Sequence, residues 1–220
     1  MNNNKTKRLV VTAMLCAIAY IAVVCIRIPI VSIDFLKFEP KDVVITIAGF
    51  MYGPLSSFII SVVVSFIEMI TISSTGPIGL IMNILSSCAF SCCAAAIYKK
   101  RHDMYGAAIG LGVGTVAMTA MMLIWNYAIT PLYMGMARSD VAAMLIPIFL
   151  PFNILKGAIN ASLTLALYKP AVTVLRKARL VEATDYSVKQ HKKTSVGTAI
   201  VSLILLATCV IIILAIRGII

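Results

Sequence analysis

The run from Pro151 to Thr164, Pro-Phe-Asn-Ile-Leu-Lys-Gly-Ala-Ile-Asn-Ala-Ser-Leu-Thr, sets a lysine inside an apolar segment and flanks it with asparagines. At about 3.6 residues per helical turn, Asn153, Lys156, Gly157, Asn160 and Thr164 share one face, while Ile154, Leu155, Ile159, Leu163 and Leu165 cover the rest. A charged side chain near the centre of a bilayer costs roughly 3 kcal/mol, so it lines a cavity, pairs with a partner or snorkels to an interface. Lysine near a helix end snorkels readily. The neighbouring amides favour the cavity, because two amides and an ammonium on one stripe form a hydrogen-bonding surface suited to a polar, flat small molecule.

Other polar residues repeat at helical spacing. Ser57, Ser61, Ser65 and Glu68 mark one edge of a second apolar run, and Gly79, Asn83 and Ser86 or Ser87 mark one side of a third. A pocket built from Asn83, Asn126, Asn153 and Lys156, walled by Phe38, Trp125, Tyr127, Tyr133 and Phe152, would set amide donors and acceptors beside aromatic faces. That set suits a heteroaromatic vitamin better than an inorganic cation, which would want more carboxylates than Glu68 alone. The same aromatics would equally build an interfacial belt, and Asn83 and Asn126 would equally bond between helices. Glu68 is expected to pair with a loop cation.

Several chemistries are excluded. No Gly-rich phosphate loop of the Walker type occurs, so the chain does not hydrolyse ATP alone. No Ser-His, Cys-His or His-Glu arrangement lies in an apolar run, which argues against an enzyme. Cys16, Cys25, Cys88, Cys92, Cys93 and Cys209 all fall in apolar runs, and His102 and His191 fall in loops, so no metal site is expected.

The elements that must position these groups are membrane helices. With 220 residues, 61% apolar composition and a mean hydropathy of +1.02, the chain reads as an all-α polytopic membrane bundle. Apolar runs begin at Leu9 (to Arg27), Val43 (to Tyr52), Leu55 (to Ile70), Ile78 (to Tyr98), Tyr105 (to Asn126) and Pro147 (to Tyr168), with a seventh from Val196 to Ile216. The Val43 run is short, and a Tyr-Gly-Pro turn at 52–54 closes it. Val31 to Asp42 reads as an interfacial loop, and Trp125 to Ile146 as a long aromatic connection. Gly106, Gly110 and Gly114 form a small-residue seam on the fifth run, which lets another backbone approach closely. Ala17-Ile18-Ala19 superficially offers a cleavage site, but the apolar run continues through Cys25, so the first run is expected to stay as a span.

Basic residues outnumber acidic ones by 19 to 8, and the surplus lies in loops and tails rather than on a nucleic-acid-binding face. With a cytoplasmic N-terminus, Lys5, Lys7, Arg8, Lys99, Lys100, Arg101 and the Lys169–Lys193 cluster fall inside, as the positive-inside rule prefers. The expected layout is a cytoplasmic start at 1–8, a six-helix substrate-binding membrane domain at 9–176, a basic cytoplasmic linker at 177–195 and an additional transmembrane helix at 196–220. Phe35 to Asp42, Glu68, Asn83, Trp125 to Tyr133, Asn153 and Lys156 are then expected to converge on the outer half.

Five motifs follow in order: Lys-Asp-Val-Val at 41–44, Gly-Phe-Met-Tyr-Gly-Pro at 49–54, Ser-Thr-Gly-Pro-Ile-Gly-Leu-Ile-Met-Asn at 74–83, Asn-Tyr-Ala-Ile-Thr-Pro-Leu-Tyr at 126–133 and Leu-Pro-Phe-Asn-Ile-Leu-Lys-Gly at 150–157. Over about residues 8–176 this resembles the riboflavin-specific S-components of energy-coupling factor (ECF) transporters, the RibU family. The resemblance implies a six-helix protein of the cell membrane that captures riboflavin from outside, as transported substrate and not as cofactor. It also implies a transmembrane T-component and two cytoplasmic ATPases as partners. By the same resemblance, Asn126, Asn153 and Lys156 would contact the flavin or its ribityl chain, and the loop from Phe35 to Asp42 would help close the pocket. Ala13 and Ala17 would match the small-residue face that meets the T-component. The seventh apolar run departs from the family's six spans. An S-component for another vitamin, or a non-transport membrane scaffold, is the competing reading.

Overall fold

The structure is a computed structural model and describes residues 3–29, 36–177 and 192–216. Its elements are α1 (Asn3–Cys25), a two-stranded hairpin of β1 (Ile28–Pro29) and β2 (Lys37–Phe38), α2 (Lys41–Tyr52), α3 (Pro54–Thr71), α4 (Gly76–Arg101), α5 (Met104–Met134), α6 (Arg138–Met144), one π-helical turn (Leu145–Phe149), α7 (Leu150–Lys177) and α8 (Lys192–Ile216). Among the described residues, five stretches are long and apolar enough to cross a bilayer: Lys5–Cys25, Pro54–Thr71, Gly76–Arg101, Met104–Met134 and Arg138–Leu175. The chain is a multi-pass membrane helix bundle.

α2 is the exception in length and in environment. Its 12 residues rise about 18 Å, well short of a hydrocarbon core of about 30 Å. Lys41, Asp42, Val43 and every residue from Ile45 to Phe50 are nonetheless buried, because α1, α3, α4 and α7 surround it. A short helix among longer neighbours leaves a hollow above its N-terminus, where Glu39 of the preceding loop faces it. Gly53, at φ +91°, closes α2 by donating its N–H to the Gly49 carbonyl, and Pro54 opens α3 directly. The Tyr-Gly-Pro turn is therefore one residue wide.

Two features of the expected layout are corrected. The stretch from Trp125 to Ile146 is not a loop: α5 continues to Met134, and only Gly135–Ala137 separates it from α6. Lys41 and Asp42 are not interfacial either, since they form the first turn of α2 with 0% exposure. The apolar pattern of α5 runs on through the aromatics, and aromatic residues at an interface are compatible with helix. Phe35 lies outside the described residues.

Apolar packing is divided among three clusters. Val11, Leu15 and Ala19 of α1 meet Ile45, Ile60 and Val64; Phe50 meets Phe90, Tyr98 and Leu111; Leu36 and Phe38 meet Phe149, Phe152, Leu155 and Cys209 of α8. Gly110 and Gly114 draw α5 onto α4 so closely that an added Cβ would lie 2.7 Å from the Ala94 carbonyl oxygen and 2.5 Å from that of Phe90. Gly106 instead sits at the α4–α5 corner, where Asp103 caps its N–H at 2.5 Å.

Candidate functional site

The hollow above α2 is a cleft of about 630 Å³, measured out to its open mouth. Asn83 and Ser86 of α4, Met122 and Asn126 of α5, and Phe152, Asn153 and Lys156 of α7 form its walls; Arg27, Leu36, Lys37, Glu39 and Ser73–Thr75 form its rim. The four polar residues singled out from the sequence, Asn83, Asn126, Asn153 and Lys156, are thus brought to one cavity from three helices. Each helix offers the residue because its polar stripe is narrow and has nowhere else to face.

Asn126 and Asn153 are each held by their own helix, and Asn83 by its neighbour. Asn126 donates to the Met122 carbonyl at 2.7 Å and its amide oxygen accepts from Thr130 at 2.9 Å. Asn153 donates to the Phe149 carbonyl at 2.7 Å, at the end of the π turn. Pro147 and Pro151, four residues apart, each remove a helical donor, and the widened turn between them is the local response. Asn83 donates to Glu68 Oε2 at 3.0 Å.

Beneath and beside the cleft lies a network of buried charge. Lys41 Nζ reaches Glu68 Oε2 at 2.5 Å and Glu39 Oε2 at 3.0 Å, and Glu39 Oε1 accepts from Arg27 Nε at 3.0 Å. On the other side of α2, Asp42 accepts from Ser87 at 2.5 Å and from Asn160 at 3.3 Å, and lies 3.7 Å from Lys156 Nζ. Arg27, Lys41 and Lys156 against Glu39, Asp42 and Glu68 balance in formal charge. Such balance is what permits ionisable groups to be buried together in a membrane bundle. Burial opposes ionisation of the Glu39 carboxyl, in the loop before α2, yet Lys41, Lys156 and Arg27 together hold it at about 2.

The aromatics fare differently. Trp125 and Tyr133 line a separate, shallower groove with Ile78, Gly79 and Ile129, which shares only Thr75 and Met82 with the cleft. Tyr127 is exposed, with the Arg138 guanidinium 5.7 Å above its ring. Phe38 is buried in the apolar cluster with Phe149 and Phe152. In a loop Trp125, Asn126 and Tyr127 could all line one pocket; on a helix they point about 100° apart, and Asn126 takes the inward direction. Glu39 and Ser86 also line the cleft, and Lys41 and Asp42 lie in the charge network beside it; the sequence offers Phe35 to Asp42 only as a closing loop and Ser86 only on a polar stripe. For Lys41 and Asp42 the signal is Pro40 followed by charges at the head of a helix too short to span.

Ala13 and Ala17 face outward on α1, beside Met14 and Ile18. Neither lines the cleft, and their small side chains leave that surface of α1 open to close approach.

The family model described as "ECF transporter, substrate-specific component" matches residues 7–168. The chain is 31% identical to the riboflavin transporter FmnP of Bacillus subtilis (strain 168), over 80% of this chain and 99% of that one. It is 30% identical to the riboflavin transporter RibU of Staphylococcus aureus (strain TCH60), over 80% and 96%. A solved structure of the S component of a bacterial ECF transporter superposes with a TM-score of 0.67 at 29% identity, covering 78% of this chain and 99% of that one. Shared helices, a polar cleft between them and a match across most of the sequence lead to one conclusion: the chain belongs to the family of substrate-specific components of ECF transporters.

Proposed function

We propose that this protein captures riboflavin at the outer face of the cell membrane, for uptake driven by ATP hydrolysis on partner subunits. The observation that carries the reading is the cleft where Asn83, Asn126 and Asn153 stand around the Lys156 ammonium, in a chain whose relatives are named riboflavin transporters. Riboflavin presents a flat ring edged with carbonyls and an N–H, and a chain of hydroxyls. Amides serve such an edge as donor and acceptor together, and an ammonium serves its carbonyls. Asn126, Asn153 and Lys156 are the proposed contacts, with Asn83 and Phe152 beside them. Binding does not require the side chains of Tyr127 or Phe38.

The N-terminus is cytoplasmic in this reading, with 9–176 as the binding domain, 177–195 as a basic inner linker and 196–220 as an added span. Ala13 and Ala17 form the contact with a transmembrane T-component, which couples to two cytoplasmic ATPases. Small residues there suit a partner that must pack closely in lipid, where association rests on close van der Waals contact.

Titration of detergent-purified protein with riboflavin should quench the vitamin's fluorescence, and protein isolated from riboflavin-fed cells should carry flavin absorption. Colourless protein that leaves added riboflavin fully fluorescent would reject the proposal. A vitamin panel in competition distinguishes riboflavin from other flat substrates. A thiamine-like cation is disfavoured beside Lys156.

A further inference from the structure

We propose that Asp42 is a positioning residue for the substrate, acting through Lys156; this rests on the cleft being the riboflavin site. The two buried lysines of the bundle are held in different ways. Lys41 is clamped between Glu68 and Glu39 at 2.5 and 3.0 Å, has 0% exposure and lines no part of the cleft. Its ammonium is committed to structure. Lys156 lines the cleft, with Asp42 Oδ2 at 3.7 Å and Ser86 Oγ at 3.5 Å, both beyond the length of a strong charge-assisted bond. The carboxylate therefore supplies a counter-charge without saturating the ammonium's donors, which keep directions open toward the cleft.

Asp42 is itself fixed from three helices. It lies in the first turn of α2, where the helix dipole favours an anion, and its oxygens accept from Ser87 of α4 and Asn160 of α7. At 0% exposure it has no solvent to turn to. Removing its charge would leave Glu39, on the rim, as the acidic neighbour of Lys156, and the ammonium would swing toward the mouth. That shift takes it from the place where a ring carbonyl would meet it.

The test is a double-variant cycle on the full chain in detergent, read by riboflavin fluorescence quenching and by thermal unfolding without ligand. Asp42→Asn keeps the side chain's shape and should weaken riboflavin binding by about tenfold. In a Lys156→Met background the same change should add less than about twofold. Ser87→Ala, which loosens Asp42 and leaves its charge, should give a smaller loss that also disappears in that background. Equal factors in both backgrounds would show that Asp42 does not act through Lys156 and would overturn the proposal. Without ligand, Asp42→Asn should lower the Tm, and Asp42→Asn with Lys156→Met should regain part of it; additive losses would refute the pair. Aggregation of Asp42→Asn alone with a monodisperse double variant supports the pair, and aggregation of both refutes it. Wild-type protein that ignores riboflavin yet shows thermal coupling rejects the substrate reading and leaves the hold of Asp42 on Lys156 standing.

Discussion

Asn153 uses its amide N–H on the Phe149 carbonyl, and that bond leaves its oxygen to face the cleft beside Lys156. A ligand that pairs with both groups desolvates them, so truncating either leaves a buried polar ligand atom without a partner. Lys156→Ala and Asn153→Ala are each expected to weaken riboflavin binding by about 1–3 kcal/mol, measured as the shift in quenching titrations. Unchanged curves for both would place the ligand elsewhere. At this scale the sequence was informative for some residues and silent for others. A lysine in an apolar run declares itself by its cost. Lys41 and Asp42 did not, because charges just before a short apolar run look the same whether the chain there is a surface loop or a helix start sunk in the bundle.

Helix packing fixes how the walls of the cleft stand. The α4–α5 pair carries Asn83 and Ser86 on one helix and Met122 and Asn126 on the other, and their spacing depends on Gly110 and Gly114 lying against the backbone of Ala94 and Phe90. A carbonyl oxygen cannot rotate away as a side chain does. Gly114→Leu should therefore push the helices apart and destabilise the protein by about 1–3 kcal/mol, seen as a lower Tm in detergent. The seam was legible from its four-residue repeat, although Gly106 belongs to the corner and not to the seam. The length of α5 was not legible, since Trp, Asn and Tyr in succession are as common at a membrane interface as in a loop.

Across the whole molecule, the cleft and the exposed alanines of α1 fall on different elements. The cleft is lined from α4, α5 and α7 and from the segments that precede α2 and α4, while Ala13 and Ala17 are exposed along α1. Ala13→Leu with Ala17→Leu is expected to leave riboflavin titrations unchanged and to abolish co-purification with a T-component; retained co-purification would move that interface off α1. α8 lies beyond the family match, which ends at residue 168, and packs on α7 through Leu206, Cys209 and Ile213. Lipid tails are as apolar as the side chains they would replace. A chain ending after Lys177 should thus bind riboflavin with unchanged affinity, and a marked loss in titration would show that α8 supports the cleft.

From the amino-acid sequence alone came the class of the protein, the membrane bundle and four of the polar residues that line the cleft, because hydropathy and a costly buried charge are local properties that one helix displays by itself. The partnership of Lys156 with Asp42 spans 114 positions of chain and that of Lys41 with Glu68 spans 27, as the residue numbers show. Which opposite charges meet depends on how deep α2 starts among its neighbours, and that depth is set by the packing of α1, α3, α4 and α7 around it. Only the tertiary structure could decide it.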